Sequence, residues 1–364
     1  MSEQPKYLTV ADALRREIAA GVFRDGQALM TEEELRLRFG VSRQTVRQAI
    51  SLLEDDGLVD RRRGSGTYVR HGPRKRQGLI HVGVMMNYIT EYISPAILSG
   101  IESTMNENGA IMSLSASSSD SRRERSILER LLDGQVDGLI VEGSQTARET
   151  PNRDYYQRLA ERNIPVLFMN GFYPGLEKIP HLIMDDYEGG RMAARELLSR
   201  GYRQPAGVFK TDDYQGAERA RGFLDELKSR GVEPPEENLL FFGTAERMDL
   251  FESGRGQALI RRITGRKGID SVACYNDIFA VSLMKLLQEA GAQLPRDLGV
   301  IGFDNADVGA VFRPAMTTLG HPKEAFGALA AEKMLRMIAG EKEESQKMPW
   351  KLIERDSLPE VNRK

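Results

Sequence analysis

The feature that most constrains this chain is an alternation of segment types that begins near residue 79. Short apolar runs and amphipathic runs with helical spacing follow one another over residues 80–86, 96–106, 110–114, 122–132 and 136–141. A second set follows over 189–198, 206–209, 218–227, 239–242, 269–274, 277–287 and 298–301. Parallel strands need a long crossover between them, and an amphipathic helix supplies it, so alternation of this kind predicts parallel βαβ units. Two sets of similar size predict an α/β body of two doubly wound parallel-sheet lobes. Ligands of such sheets lodge where strand C-termini face a cleft. The residues to inspect are therefore those just past strands: Glu142, Lys210 with Asp212, Asn276 and Asp304, with Arg219 one turn into the next helix. Carboxylates, amides and guanidinium groups bind vicinal hydroxyls in pairs, so this set suits a small polyol. The same positions are also where ordinary helix N-caps sit.

At 364 residues the chain exceeds one ordinary core and calls for two or three. No 18 apolar residues run together and the N-terminus is polar, which predicts a cytoplasmic protein without a secretion signal or membrane partner. The single cysteine, Cys274, lies in an apolar stretch and fits a reducing compartment. Enzymes on doubly wound folds, such as dehydrogenases and sugar kinases, are the first rival reading. Residues 86–90 (MNYIT) are not a Gly-rich phosphate cradle, and no GxxxxGK[ST] occurs. The histidines, His71, His81, His181 and His321, have neither metal-ligand spacing nor a serine or cysteine partner motif. No catalytic residue, metal or cofactor is expected. A sugar-binding protein of transport is the second rival, and the N-terminal segment speaks against it.

That segment carries charge of its own sign. Residues 1–77 hold 15 Lys and Arg against 11 Asp and Glu, whereas the remainder holds 36 against 42. A basic head on an acidic body suggests that the head meets phosphate. Thr31 followed by Glu34 reads as a capping box, with Leu35 and Phe39 turned inward and Gly40 ending the helix. Ser42 caps the next helix, in which Val46, Ala49, Ile50 and Leu53 share one face. Arg43, Gln44, Arg47 and Gln48 are left on the other. Arg pairs bidentately with guanine edges and Gln with adenine edges, which is what major-groove reading requires. Four polar residues on a helix are also the ordinary mark of a solvated face. The sequence after Gly57, LVDRRRGSGTYV, shifts that balance, because it reads as a thin basic hairpin able to lie along a duplex. Residues 70–78 have the Gly, Pro and charge of a linker.

FGVSRQTVR over 39–47, LEDDGL over 53–58 and GSGTYV over 64–69 resemble the winged helix of the GntR family. The resemblance implies Arg43, Gln44, Thr45 and Arg47 as recognition-helix contacts and Gly64 as the wing tip near DNA. Glu33 and Ser65 stand where that family often has Arg. In the body, Asn276-Asp277 with Ala280, Gly291, PRD at 295–297, VIGFD at 300–304 and Pro314 with Thr317-Thr318 look like the LacI/GalR effector domain. VDGLI at 136–140, Asp185 with Gly189-Gly190, and Arg219 before Gly222-Phe223 look the same. That resemblance implies effector contacts from Arg219, Asn276 and Asp304; position adds Glu142, Lys210, Tyr92 and His321.

A GntR-type head on a LacI-type body, with YITEYI at 88–93, DGLIVE at 137–142 and CYND at 274–277, is similar to the arabinose-responsive repressors of Gram-positive bacteria. The implied effector is L-arabinose, with another sugar, a phosphosugar or a purine as alternatives. The expected organisation is a winged helix-turn-helix over 1–70, a linker over 71–78 and an effector-binding and dimerisation domain over 79–364. A two-fold dimer presents two heads to two half-sites, so the expected partner is a near-palindromic double-stranded operator. The resemblance implies that sugar releases it.

Overall fold

The computed structural model describes residues 5–24, 26–55, 57–62, 65–69, 79–91, 93–134, 136–265 and 268–361. The chain divides into two units, one made mainly by the N-terminal residues to Leu79 and one made by most of the chain from Ile80 onward. The expected linker over 71–78 lies outside the described residues, as do Gly64 and Tyr92.

The first unit contains α1 (Lys6–Ala19), α2 (Glu32–Phe39), α3 (Arg43–Asp55), β1 (Val59–Arg62) and β2 (Gly66–Val69). The capping box forms: Glu34 N–H donates to the Thr31 hydroxyl at 3.3 Å and Thr31 N–H to the Glu34 carboxylate at 2.7 Å. Gly40 stops α2 at φ 61°, a left-handed conformation that costs glycine nothing. Ser42 Oγ accepts from Thr45 N–H at 3.2 Å and starts α3 one turn later. Val46, Ala49, Ile50 and Leu53 are buried against Val10, Leu14 and Ile18 of α1 and Leu35 of α2. β1 and β2 form an antiparallel hairpin, and Ala28 adds an isolated antiparallel bridge to Tyr68 on the other side of β2. This is a winged helix-turn-helix.

The second unit has two sheets. The first lobe runs β3 (Ile80–Met86), α4 (Ser94–Glu107), β4 (Ala110–Ala116), α5 (Ser121–Asp133), β5 (Gly138–Val141), α6 (Arg153–Glu161), β6 (Val166–Met169) and β7 (His181–Met184). The second runs α7 (Asp186–Ser199), β8 (Pro205–Lys210), α8 (Tyr214–Ser229), β9 (Leu239–Phe242), α9 (Gly254–Thr264), β10 (Ser271–Cys274), α10 (Asp277–Glu289), β11 (Gly299–Phe303), α11 (Asp307–Val311) and β12 (Thr317–Gly320). The chain then returns to the first lobe with α12 (Lys323–Ile338) and β13 (Gln346–Met348), and ends in the second with β14 (Lys351–Ile353).

The strand orders, β13-β7-β6-β5-β3-β4 and β14-β12-β11-β10-β8-β9, are the same topology twice. All pairs are parallel except β12 with β14. In each sheet the order reverses between the first and third strands, β3 and β5 in one and β8 and β10 in the other, and a crevice opens at such a switch point.

The backbone crosses between lobes at 184–186, 320–323 and 348–351. These crossings touch one another: Asp185 N–H donates to the Met348 carbonyl at 2.9 Å, and the His321 and Trp350 rings meet edge-on at 5.3 Å. Helices α7 and α8 cross in near backbone contact. A Cβ on Gly222 would come within 1.9 Å of the Tyr187 carbonyl oxygen, and one on Gly190 within 2.1 Å of that of Arg219. The return of α12 onto α4 is equally close, with Gly327 facing the Ile97 carbonyl. Among the described residues no helix is long and apolar enough to cross a membrane.

Candidate effector cleft and DNA-reading face

Burial of one face of α3 leaves the opposite face to solvent. Arg43, Gln44 and Arg47 are exposed there, and Thr45 is half-buried with its hydroxyl 2.8 Å from that of Ser42. Both arginines lean on one carboxylate: Glu32, at the start of α2, accepts from Arg43 Nε and Arg47 Nε at 3.0 Å each. The Arg side chains remain 69% and 58% exposed, so contacts of this kind in water are weak and exchangeable. Glu33, the departure noted in the sequence, is taken up by Arg36 of its own helix. On the wing, Arg61 reaches the Arg47 carbonyl at 3.2 Å and Arg62 lies over the Tyr68 ring at 4.4 Å. The first strand of the wing, β1, thus braces the reading helix.

In the body, the switch points of both sheets open on one cavity of about 90 Å³, room for several water-sized groups and thus for a small molecule. The first lobe supplies Asn87 after β3, Glu142 after β5 and Asn170 after β6; the second supplies Lys210, Asp213, Arg219, Tyr275, Asn276 and Asp304. Five of the residues expected from sequence, Glu142, Lys210, Arg219, Asn276 and Asp304, thus line one cleft. His321 does not. Its ring packs edge-on to Phe326 and Trp350, with Nδ1 buried and unpartnered, and burial pushes its pKa down to about 4.

Arg219 is 1% exposed. Its Nε donates to Asp186 at 2.8 Å, one terminal nitrogen to the Tyr275 carbonyl at 2.7 Å and the other to Asp304 at 3.4 Å. The guanidinium lies 4.5 Å from the Phe303 ring and 4.9 Å from that of Trp350, which helps to take it out of water. Burial pushes the Asp186 carboxyl up to about 7 against the pull of Arg219. Asp304 is held at φ 92°, a strained conformation for a residue with a Cβ. Its N–H donates to Leu319 at 2.6 Å, and Asp277 accepts from Ala306 N–H and the Thr318 hydroxyl at 2.7 Å each, which fixes the turn.

Lys210 ends β8 with its ammonium 2.7 Å from Asp212 and 2.8 Å from Asp213. Burial alone would raise the Asp213 carboxyl, but Lys210, the Gly216 N–H and the Tyr275 hydroxyl hold it below its ordinary range. Glu142 accepts from Asn87 N–H at 2.8 Å and from the Asn170 amide at 3.0 Å. Burial pushes its pKa up, and Asp213 adds to the shift. Asn276 both lines the cleft and caps α10 by accepting from Phe279 N–H at 3.1 Å, so the cap reading and the cleft reading hold together. Lys210 and Arg219 are each already shared between two carboxylates. Cys274 is fully buried, and burial pushes its thiol up. Among the described residues no three His, Cys, Asp or Glu side chains are placed to hold a metal ion.

Sequence reasoning missed Asn87 and Asn170, which obey the same past-the-strand rule, as well as Asp186, Asp213 and the pair Glu91 and Arg247.

The pattern of bacterial regulatory proteins of the gntR family matches residues 6–69, and that of a periplasmic binding protein-like domain matches residues 194–358. Over 335 residues the chain is 34% identical to the arabinose metabolism transcriptional repressor of Geobacillus stearothermophilus, covering 92% of this chain and 91% of that one. Identity to the protein of the same description from Halalkalibacterium halodurans is 30%, over 94% of this chain and 91% of that one. The chain belongs to this family of transcriptional repressors. Its body also superimposes on a periplasmic binding protein/LacI transcriptional regulator of Alkaliphilus metalliredigens complexed with D-xylulofuranose. The TM-score is 0.65 at 27% identity, over 76% of this chain and 98% of that one. This repressor is accordingly a DNA-binding, sugar-sensing regulator, and the enzyme reading is set aside.

Proposed function

We propose that this repressor represses sugar-utilisation genes by holding a near-palindromic operator as a homodimer in the cytoplasm, and that L-arabinose in the cleft releases it. Residues 1–70 are the reader, 71–78 the tether and 79–364 the sensor and dimerisation domain. Arg43, Gln44, Thr45 and Arg47 read base edges, with Gly64 at the wing tip. Arg219, Asn276, Asp304, Glu142 and Lys210 hold the sugar, helped by Tyr92. The observation that carries this reading is the charge bookkeeping of the cleft: every cation lining it is paired with carboxylates, while Glu142 rests on amides. A neutral polyol can exchange hydrogen bonds with such a set, whereas a phosphate would face Asp213, Asp304 and Glu142. The names of the two relatives favour arabinose among neutral sugars.

Calorimetry against L-arabinose, D-xylose, D-ribose, D-glucose, arabinose 5-phosphate and guanine tests the effector. Heat from L-arabinose and silence from the phosphate are expected; tight phosphate binding would reject the charge argument. A gel shift on promoter fragments with and without the bound sugar tests release. A single effector couples by about 1–3 kcal/mol, which corresponds to a five- to 150-fold loss of operator affinity.

A further inference from the structure

The two lobes are tied across the cleft at its open side as well as through the three crossings. Arg247, just past the turn at Thr244–Glu246, donates to Glu91 of the loop after β3 through both terminal nitrogens, at 3.1 and 2.5 Å, and its guanidinium lies 4.3 Å over the Tyr88 ring. The pair is only partly shielded, at 21% and 39% exposed, and all three residues line the cavity. Beside it the Ser119 and Thr244 hydroxyls approach to 3.4 Å. Deeper in, Tyr214 N–H donates to the Thr146 hydroxyl at 3.0 Å and Ala147 N–H to the Asp212 carbonyl at 3.3 Å, again from one lobe to the other.

The turn that carries Arg247 is anchored to the cleft floor. Thr244 N–H donates to Asp212 at 2.6 Å, and Asp212 is also the partner of Lys210. Asp212 therefore connects a cleft ammonium to the segment that ends in Arg247. A bidentate guanidinium–carboxylate pair stacked on an aromatic ring has geometric specificity that a loose surface contact lacks. It must separate before the lobes part.

We infer that Arg247, with Glu91 and Tyr88, is a latch across the mouth of the cleft that gates effector exchange. The inference rests on the sugar-sensor reading for the identity of the effector, but not for the closure itself. A half-exposed pair of good geometry contributes up to about 1 kcal/mol, a factor of about five in the opening equilibrium. The latch therefore sets how fast sugar leaves rather than whether it binds.

The test uses the full-length chain and the variants Arg247→Gln, Glu91→Gln and the charge swap Glu91→Arg with Arg247→Glu. Trp350, the one tryptophan of the sequence, packs against Arg219 at a crossing and supplies a fluorescence signal. In stopped flow with L-arabinose, each single variant is expected to release sugar about fivefold faster, and the swap to recover at least half of that change. Single variants within 1.5-fold of the parent, or a swap as fast as the singles, would overturn the latch. Hydrogen exchange without sugar separates this from failure of the effector assignment. Loss of the latch should speed exchange of the Ala147 and Tyr214 amides, whichever sugar the cleft takes. Unchanged exchange at both amides in both single variants rejects the latch on its own.

Discussion

Arg219 Nε lies 2.8 Å from an oxygen of Asp186, and the two side chains are all but excluded from water. An arginine so buried is tolerable only because Asp186, Asp304 and the Tyr275 carbonyl satisfy it together. Removing one member of a buried pair leaves the others uncompensated, which typically costs about 3–5 kcal/mol. Arg219→Ala should lose stability of that order in urea unfolding as well as sugar binding. Adding Asp186→Asn should return part of the stability, because one stranded carboxylate is gone. A loss below about 1 kcal/mol would show that the buried charges are not held by one another.

On the reading helix the expected effects are on discrimination. A good bidentate side-chain-to-base contact is worth about 1–3 kcal/mol against the wrong base. Arg47→Ala should weaken operator binding by that amount and relax preference at one position per half-site. Fluorescence anisotropy with operator variants reads both. Equal weakening on operator and random duplex, with no change in preference, would mean that Arg47 meets phosphate alone.

How much of this was legible from residue order depended on range. The capping box at Thr31 and Glu34, the stop at Gly40 and the buried face of α3 are local, and the chain writes them within four residues. The past-the-strand rule found Glu142, Lys210, Asn276 and Asp304 because a parallel strand delivers its next residue to the crevice whatever its partner. Glu91 and Arg247 are 156 positions apart and have no spacing that a pattern could register. The return of α12 and β13 to the first lobe was equally silent, since an amphipathic helix does not declare which sheet it will cover.

Acid should weaken the body through His321. Burial holds this imidazole neutral with a pKa of about 4, below the unfolded value of roughly 6.5. The stability it contributes is fully present above pH 6.5 and is lost as pH falls toward 4. His321→Leu should therefore lose part of this acid sensitivity: measured against the parent, its melting temperature should rise between pH 7 and pH 4.5. A constant difference would place the acid response elsewhere.

The crossing of α7 and α8 predicts a sharp contrast between two glycines. Gly222→Ala would drive a methyl into the Tyr187 carbonyl, and overpacking of this kind typically costs about 1–3 kcal/mol. Gly254→Ala, at the start of α9 with open space around it, should stay within about 0.5 kcal/mol of the parent. Denaturant midpoints decide; equal losses at both would mean that the helices can part without penalty.

The three strands of backbone that pass between the lobes run side by side, pinned to one another at Asp185 and Met348 and again at His321 and Trp350. A single rope between two bodies permits twist, slide and swing alike. Three ropes lashed at a common waist resist the first two and leave the swing, so whatever the cleft grips is converted into rotation about one axis. For the same reason a protease nick at any one crossing would leave the halves joined.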